Sequence, residues 1–153
     1  MVQPLPSPHI LLLTDMPAVI SLLTLALEPE GYKVTSFLAG TAYQEQAHAM
    51  IGVATATLDV ETIATMAPLP NAIVHEVRHP QNQYAGQQFL VQSQRDLVVG
   101  QIPLIFGTAT ADPGQTATKA ESGEPGCVWV ISSPIDADEL LTVLWRLIMR
   151  HAP

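Results

Sequence analysis

Ile73-Val74-His75-Glu76-Val77-Arg78-His79-Pro80 is the stretch that decides the fold of this chain. Its HEVRH letters fit the H-E-x-x-H motif of metalloproteases, in which two histidines one helical turn apart bind zinc and the glutamate activates a water. That motif requires a helix, whereas the apolar residues 72–74 are β-prone and Pro80 disfavours the helical conformation at His79. The segment therefore predicts a buried strand that ends near Glu76 and continues as a loop. The alternative is a small zinc hydrolase that uses His75, Glu76 and His79.

Short apolar runs alternate with helical patterns along the rest of the chain. The patterns predict strands at 9–13, 32–37, 72–77, 103–106 and 127–131. They predict helices at 18–28, 41–52, 59–66 and 87–95, and Pro17 suits the first position of the first of these helices. They also predict a last helix that Asp136 caps, with Glu139 as its capping-box partner. Alternating strands and helices indicate a three-layer α/β domain around a parallel sheet. Because all crossovers are right-handed, the carboxyl ends of the strands meet at one edge, where a site is expected.

The composition limits the class of protein. The chain has 153 residues, is 48% hydrophobic and 13% charged, and carries a net charge of −8 with only six lysines and arginines. We expect a proline-rich tail at 1–8 and a single, stand-alone globular domain at 9–150. The shortage of basic residues argues against nucleic-acid binding, and no apolar run is long enough to suggest a membrane partner. The lone Cys127 cannot form an intramolecular disulfide, so a cytoplasmic location is expected.

Four stretches, in the same order and spacing, resemble the receiver domains of response regulators in two-component signalling. The stretches are ILLLTDMPAVISLLTLALEPEGYKV at 10–34, NAIVHEVRHP at 71–80, QIPLIFGTATAD at 101–112 and VWVISSPIDADELLTVLWRL at 128–147. The resemblance implies a flavodoxin-like sandwich, a five-stranded parallel sheet in the order 2-1-3-4-5 with helices on both faces. The segment 110–126, where the family has its fourth helix, is rich in Pro, Gly, Ser and Thr, so this helix is expected to be short or missing.

The resemblance also implies a phosphoryl pocket at the strand ends. In the family an acidic pair after the first strand binds Mg²⁺, and an Asp at the end of the third strand accepts the phosphoryl group. A Thr or Ser after the fourth strand and a Lys followed by a cis-proline after the fifth strand contact that group. The corresponding positions here are Thr14 and Asp15, Glu76, Thr108, and Ser133 with Pro134. Thr14 therefore replaces one of the two acids, Glu76 replaces the phosphoacceptor Asp, and Ser133 replaces the Lys.

These replacements predict a degenerate receiver that has lost its phosphoryl chemistry. Asp15, Glu76 and the Arg78 carbonyl would offer Mg²⁺ only a weak site, and we expect no other cofactor. Glu76 carries its carboxylate one methylene further out than Asp, and no Lys is left to pair with added phosphoryl charge. We therefore expect no enzymatic activity and a role in binding proteins, such as a histidine kinase, a regulator or a second copy of the chain. The alternative within this family is a receiver that is still phosphorylated in an unusual way.

Overall fold

Five parallel strands form one sheet in the order β2-β1-β3-β4-β5, which confirms the predicted fold class. The computed structural model describes residues 7–38, 60–79, 82–108 and 128–149. The strands are β1 (His9–Thr14), β2 (Lys33–Leu38), β3 (Ala72–Glu76), β4 (Leu104–Thr108) and β5 (Val128–Ser132). All residues of β1, β3 and β4 are buried, as expected for central strands with helices on both faces of the sheet.

The register of the strands brings the predicted site residues to one edge of the sheet. Thr14 at the end of β1 pairs with Glu76 at the end of β3, and Glu76 in turn pairs with Gly107 of β4. Thr108, the last residue of β4, pairs with Ser132, the last residue of β5. The carboxyl ends of the four strands β1, β3, β4 and β5 therefore meet at the same edge, as the sequence predicted.

The helices cover both faces of the sheet. They are α1 (Pro17–Leu27), α2 (Val60–Ala64), α3 (Gln83–Arg95) and α4 (Ala137–Leu144), which continues as a π-helical turn (Trp145–Met149). The core on one face joins α1 and α4 to the sheet through Leu23, Leu27, Leu140 and Leu144. The core on the other face includes Ile63 of α2 and Phe89 of α3. Two separate apolar layers thus fix the sheet between the helices.

The predicted ends of two helices agree with the structure. Pro17 occupies the first turn of α1, where its missing N–H costs no hydrogen bond. The Asp136 carboxylate caps α4, since it accepts hydrogen bonds from the backbone N–H groups of Asp138 and Glu139 at 2.8 and 3.1 Å. Gly31 follows the 3₁₀ turn after α1 with φ of 94°, a left-handed conformation that favours glycine.

Other predicted boundaries shift, and one alternative fails. β3 ends at Glu76, so His75 lies in a strand and the helix that zinc binding by HEVRH requires is not formed. The zinc hydrolase alternative is therefore wrong. α3 begins at Gln83, one turn before the predicted start at residue 87.

Several expectations lie outside the described residues. These are the proline-rich tail for residues 1–6, the helix at 41–52, and the short or missing helix at 110–126. The domain limits 9–150 stay a prediction. Across the four described ranges no helix has the length and apolar character needed to cross a bilayer.

Candidate functional site

The strand ends bring the predicted pocket residues to one edge of the sheet, where four of them are buried. Thr14, Asp15 and Glu76 have no solvent-exposed surface, and Thr108 is 6% exposed. Ser133 is half-buried, and its peptide bond to Pro134 is cis, as the family resemblance implies. Strand pairing alone places Thr14 beside Glu76. The Thr108 carbonyl accepts a hydrogen bond from the Ser133 N–H at 3.0 Å, which ties β4 to the loop after β5.

The Glu76 carboxylate is surrounded by donors from the protein itself. Its Oε1 accepts a hydrogen bond from the Ser133 hydroxyl at 3.1 Å and forms an ion pair with Nε of Arg78. Its Oε2 accepts a hydrogen bond from the Ile135 N–H at 3.2 Å. A fully buried carboxylate is costly unless it is paired and hydrogen-bonded, and both conditions are met here. Glu76, at the position that the resemblance assigns to the phosphoacceptor, is thus held by bonds to the protein itself.

The Asp15 carboxylate binds the loop between β3 and α3. Its Oδ1 accepts from the Arg78 N–H at 2.9 Å, and its Oδ2 accepts from the His79 N–H at 2.8 Å. The same Oδ2 also accepts from the buried Asn82 side-chain amide at 3.1 Å. Backbone N–H donors of this kind satisfy a buried carboxylate without a metal. Asp15 therefore fixes the loop that follows the strand carrying Glu76.

The residues at this edge do not fit Mg²⁺. Mg²⁺ requires near-octahedral coordination by hard oxygen ligands and keeps several of its waters. Every carboxylate oxygen of Asp15 and Glu76 already accepts at least one hydrogen bond from the protein, and neither residue is exposed. Thr14 offers a neutral hydroxyl in place of the second acid, and this hydroxyl accepts from the Met16 N–H at 3.2 Å. The weak Mg²⁺ site expected from Asp15 and Glu76 has no geometric support.

Close packing covers Glu76 from the side of β4 and the loop after β5. A Cβ atom added to Gly107 would lie 2.8 Å from Cδ1 and 2.9 Å from Cγ1 of Ile135, and 3.2 Å from Cγ of Glu76. Ile135 is 4% exposed and belongs to the apolar core. The absence of a side chain at Gly107 therefore lets Ile135 approach the sheet next to Glu76.

His75 is a core residue rather than a metal ligand. Its ring stacks on Phe89, with ring centroids 4.8 Å apart, and on Phe106 at 5.3 Å. Burial lowers the pKa of His75 from 6.5 to about 4, so the ring is neutral at physiological pH. Within the described ranges, no three or more His, Cys, Asp or Glu side chains are grouped so that they could hold a metal ion.

Three contributors to this site were missed from the sequence. Arg78 was considered only for its carbonyl, although it is one of just six basic residues and follows Glu76 by two positions. Asn82 precedes α3 but makes no capping bond with its side chain, which binds Asp15 instead. Ile135 donates from its backbone, which no side-chain pattern reveals. The short spacing of Arg78 from Glu76 is the one signal that could have been used.

The comparisons with known proteins point to one kind of domain. No protein-family profile matches the chain. Over 83 residues it is 30% identical to the response regulator Rre1 of Synechocystis sp., a match that covers 54% of this chain and 34% of that protein. The chain thus spans about a third of the length of this curated relative.

Solved structures match over nearly the whole chain. A receiver domain of a signal transduction histidine kinase from Syntrophus aciditrophicus superposes with a TM-score of 0.61 at 21% identity, covering 94% of this chain and 92% of that one. A transiently phosphorylated switch of bacterial signal transduction gives 0.60 at 18% identity, with 97% and 100% coverage. The receiver domain of a sensor histidine kinase from Pseudomonas aeruginosa, which holds a magnesium ion in its active-site cleft, gives 0.57 at 21%, with 94% and 98% coverage. At these identities the likeness to the solved structures is one of fold.

Proposed function

We propose that this chain is a receiver domain of two-component signalling that does not accept a phosphoryl group and acts by binding another protein. Its fold and its likeness to a response regulator support the first part of this proposal. One observation carries the proposal. The Glu76 carboxylate, at the phosphoacceptor position, is fully buried and has both oxygens bonded to groups of the chain itself. The module would work without catalysis, and a cytoplasmic location belongs to the same proposal.

The chemistry of phosphoryl transfer supports this proposal. Transfer depends on holding the attacking oxygen in line with the leaving group and on neutralising the charge of the phosphoryl oxygens. Glu76 would first have to break its bonds to Ser133 and Ile135, and its carboxylate has no exposed surface from which to attack. A Ser at position 133 supplies no positive charge for the product. The free energy needed to break these buried hydrogen bonds of Glu76 therefore opposes the reaction.

The lack of a fitting metal site supports the same conclusion. The magnesium ion of the Pseudomonas aeruginosa receiver lies in its active-site cleft. In this chain the carboxylates of Asp15 and Glu76 are occupied by protein donors, and Thr14 is neutral. Without a metal, the negative charge of an incoming phosphoryl donor would face two buried carboxylates, and the neighbouring cation, Arg78, is already ion-paired to Glu76.

The outer surface of α1 and the end of the last helix support a role in protein binding. α1 contains no charged residue, and its Leu22 and Leu25 side chains are 57% and 75% exposed. Trp145, in the π-helical turn after α4, is 60% exposed. Exposed aromatic and aliphatic side chains of this size are typical of the anchor residues of interfaces. The partner classes in this proposal are a histidine kinase, a response regulator or a second copy of the chain.

Amide NMR spectra with Mg²⁺ and beryllofluoride, a phosphoryl mimic, test the proposal. We expect no shifts at Glu76, Thr108 or Ser133 in the natural sequence. The matched variant carries Thr14→Asp, Glu76→Asp and Ser133→Lys, which return the family's residues to their positions, and we expect its pocket amides to respond. Clear shifts around Glu76 in the natural chain would overturn the proposal.

Calorimetric titration with purified histidine kinases and response regulators of the same organism tests the binding role. Binding should be the same with and without beryllofluoride, because no phosphoryl state is needed. The oligomeric state is measured by light scattering in the same buffers. Binding that appears only when the phosphoryl mimic is present would contradict a phosphate-independent module.

A further inference from the structure

Of the two buried acids of the site, Asp15 is satisfied by backbone and amide donors, and Glu76 is paired with a cation. Asp15 and Glu76 both have zero exposed surface, and carboxylates are rarely buried unless a cation or several donors accompany them. Arg78 is the cation that meets this requirement. It is ion-paired to Glu76 through Nε, and its side chain is 30% exposed, so it extends from the surface to the buried carboxylate.

Arg78 also connects the two acids through its backbone. Its N–H donates to Asp15 Oδ1 at 2.9 Å, while its guanidinium binds Glu76. The same residue therefore touches both carboxylates, one through the main chain and one through the side chain. In a receiver that binds Mg²⁺, a metal ion would be expected to neutralise acids at this edge.

Each acid in turn holds a different loop. Asp15 accepts from Arg78, His79 and Asn82, all in the β3–α3 connection. Glu76 accepts from Ser133 and Ile135, both in the β5–α4 connection. A network in which every buried oxygen is satisfied makes a rigid arrangement.

We infer that Arg78 is a resident cation that takes the place of a divalent metal at this edge, and that it holds the two loops in a single metal-independent conformation. Arg78 is a positioning residue in this account, since it acts through Glu76 and the loops. The inference rests on the proposed function, because a receiver that is not phosphorylated needs no exchangeable metal. The positive charge of Arg78, and not a bound metal ion, then fixes the conformation of the two loops.

A double-mutant cycle in urea unfolding tests the coupling of Arg78 to Glu76. Arg78→Met keeps most of the apolar stem and removes the positive charge. Glu76→Gln removes the negative charge with which Arg78 pairs. We expect Arg78→Met to lower the urea midpoint clearly in the natural background and much less in the Glu76→Gln background. The control, Arg146→Met, removes an exposed arginine from the last helical turn and should leave the midpoint nearly unchanged. Equal losses from Arg78→Met in both backgrounds would overturn the inference.

Metal dependence gives the second readout. Adding millimolar Mg²⁺ or a chelator should change neither the urea midpoint nor the amide spectrum of the natural chain. Removing the guanidinium leaves the buried Glu76 without its ion-pair partner, so Mg²⁺ should raise the midpoint of Arg78→Met while leaving that of Arg146→Met unchanged. An effect of Mg²⁺ on the natural chain at Asp15 or Glu76 would overturn the inference even if Arg78→Met fails to fold.

The two proposals fail in different ways. Mg²⁺ binding to the natural chain without any response to beryllofluoride would remove the resident-cation inference and leave the proposed function standing. A response to beryllofluoride in the natural chain would remove the proposed function itself.

Discussion

His75 and Glu76 are neighbours on one strand, yet their side chains lie in opposite environments. His75 stacks between Phe89 and Phe106 in the core beneath α3, and Glu76 lies among donors at the edge of the sheet. Successive residues of a strand point to opposite faces, so adjacent letters of a motif do not share a site. The HEVRH letters therefore describe a core residue and a pocket residue, and the strand period separates them.

The buried His75 predicts a specific pH dependence of stability. Its folded pKa of about 4 lies below the ordinary histidine value of 6.5, so the unfolded chain binds a proton first as the pH falls. The titration of His75 leaves stability unchanged above about pH 6.5, and its destabilising effect grows from there down to about pH 4. The shift corresponds to a loss of about 3 kcal/mol in the free energy of unfolding.

Replacing His75 by Phe removes this titration and keeps an aromatic ring in the stack. We predict that the free energy of unfolding of His75→Phe falls less on acidification than that of the natural chain. Urea unfolding at neutral pH and near pH 4 measures both proteins. The carboxylates titrate in both, so the difference isolates His75, and identical pH profiles would refute the assignment.

Gly107 gives a second prediction at a single residue. The Cβ atom of Gly107→Ala would lie 2.8 Å from Cδ1 of Ile135, too close for ordinary packing. Overpacking of this kind costs about 1–3 kcal/mol of unfolding free energy. Truncating Ile135 to Ala removes the clashing atoms, so Gly107→Ala should cost less in that background. Urea unfolding of the four proteins measures this coupling, and additive losses would contradict the contact.

At the scale of elements, the helix ends that follow a residue with a clear local signal were predicted better than the start of α3. Asp136 and Pro17 each have a local chemical signal, and both occupy their predicted places in the structure. Asn82 precedes α3 at the capping position, but its side chain makes no capping bond and binds Asp15 instead. A helix end set by tertiary contacts is not readable from local sequence.

The Asp136 cap gives a prediction for α4. Asp136→Ala removes the acceptor for the Asp138 and Glu139 N–H groups and should lower the free energy of unfolding by about 1 kcal/mol. Asp138→Ala is the matched control, since Asp138 is exposed in the same turn and serves as no acceptor for the capping bonds. Circular dichroism during urea unfolding measures both variants. Equal losses would indicate that charge near the helix end, rather than the cap, is responsible.

At the scale of the whole molecule, the sheet was predictable because its signals are local and repeated. Continuous apolar runs such as 10–13 and 72–74 mark buried parallel strands, and the resemblance supplied the strand order that the structure confirms. The replaced site residues Thr14, Glu76 and Ser133 were also found at the expected edge. The network around them was not predictable, since Arg78 could neutralise Glu76 only if the loop turned back toward the strand end.

Intact mass spectrometry after incubation with acetyl phosphate and Mg²⁺ tests the central claim most directly. The claim is that the phosphoacceptor position, held by Ser133, Ile135 and Arg78, cannot receive a phosphoryl group. A phosphorylatable receiver domain in the same reaction provides the positive control. We predict that the mass of this chain is unchanged while the control gains a phosphoryl group. A phosphoryl adduct on Glu76 would contradict the account.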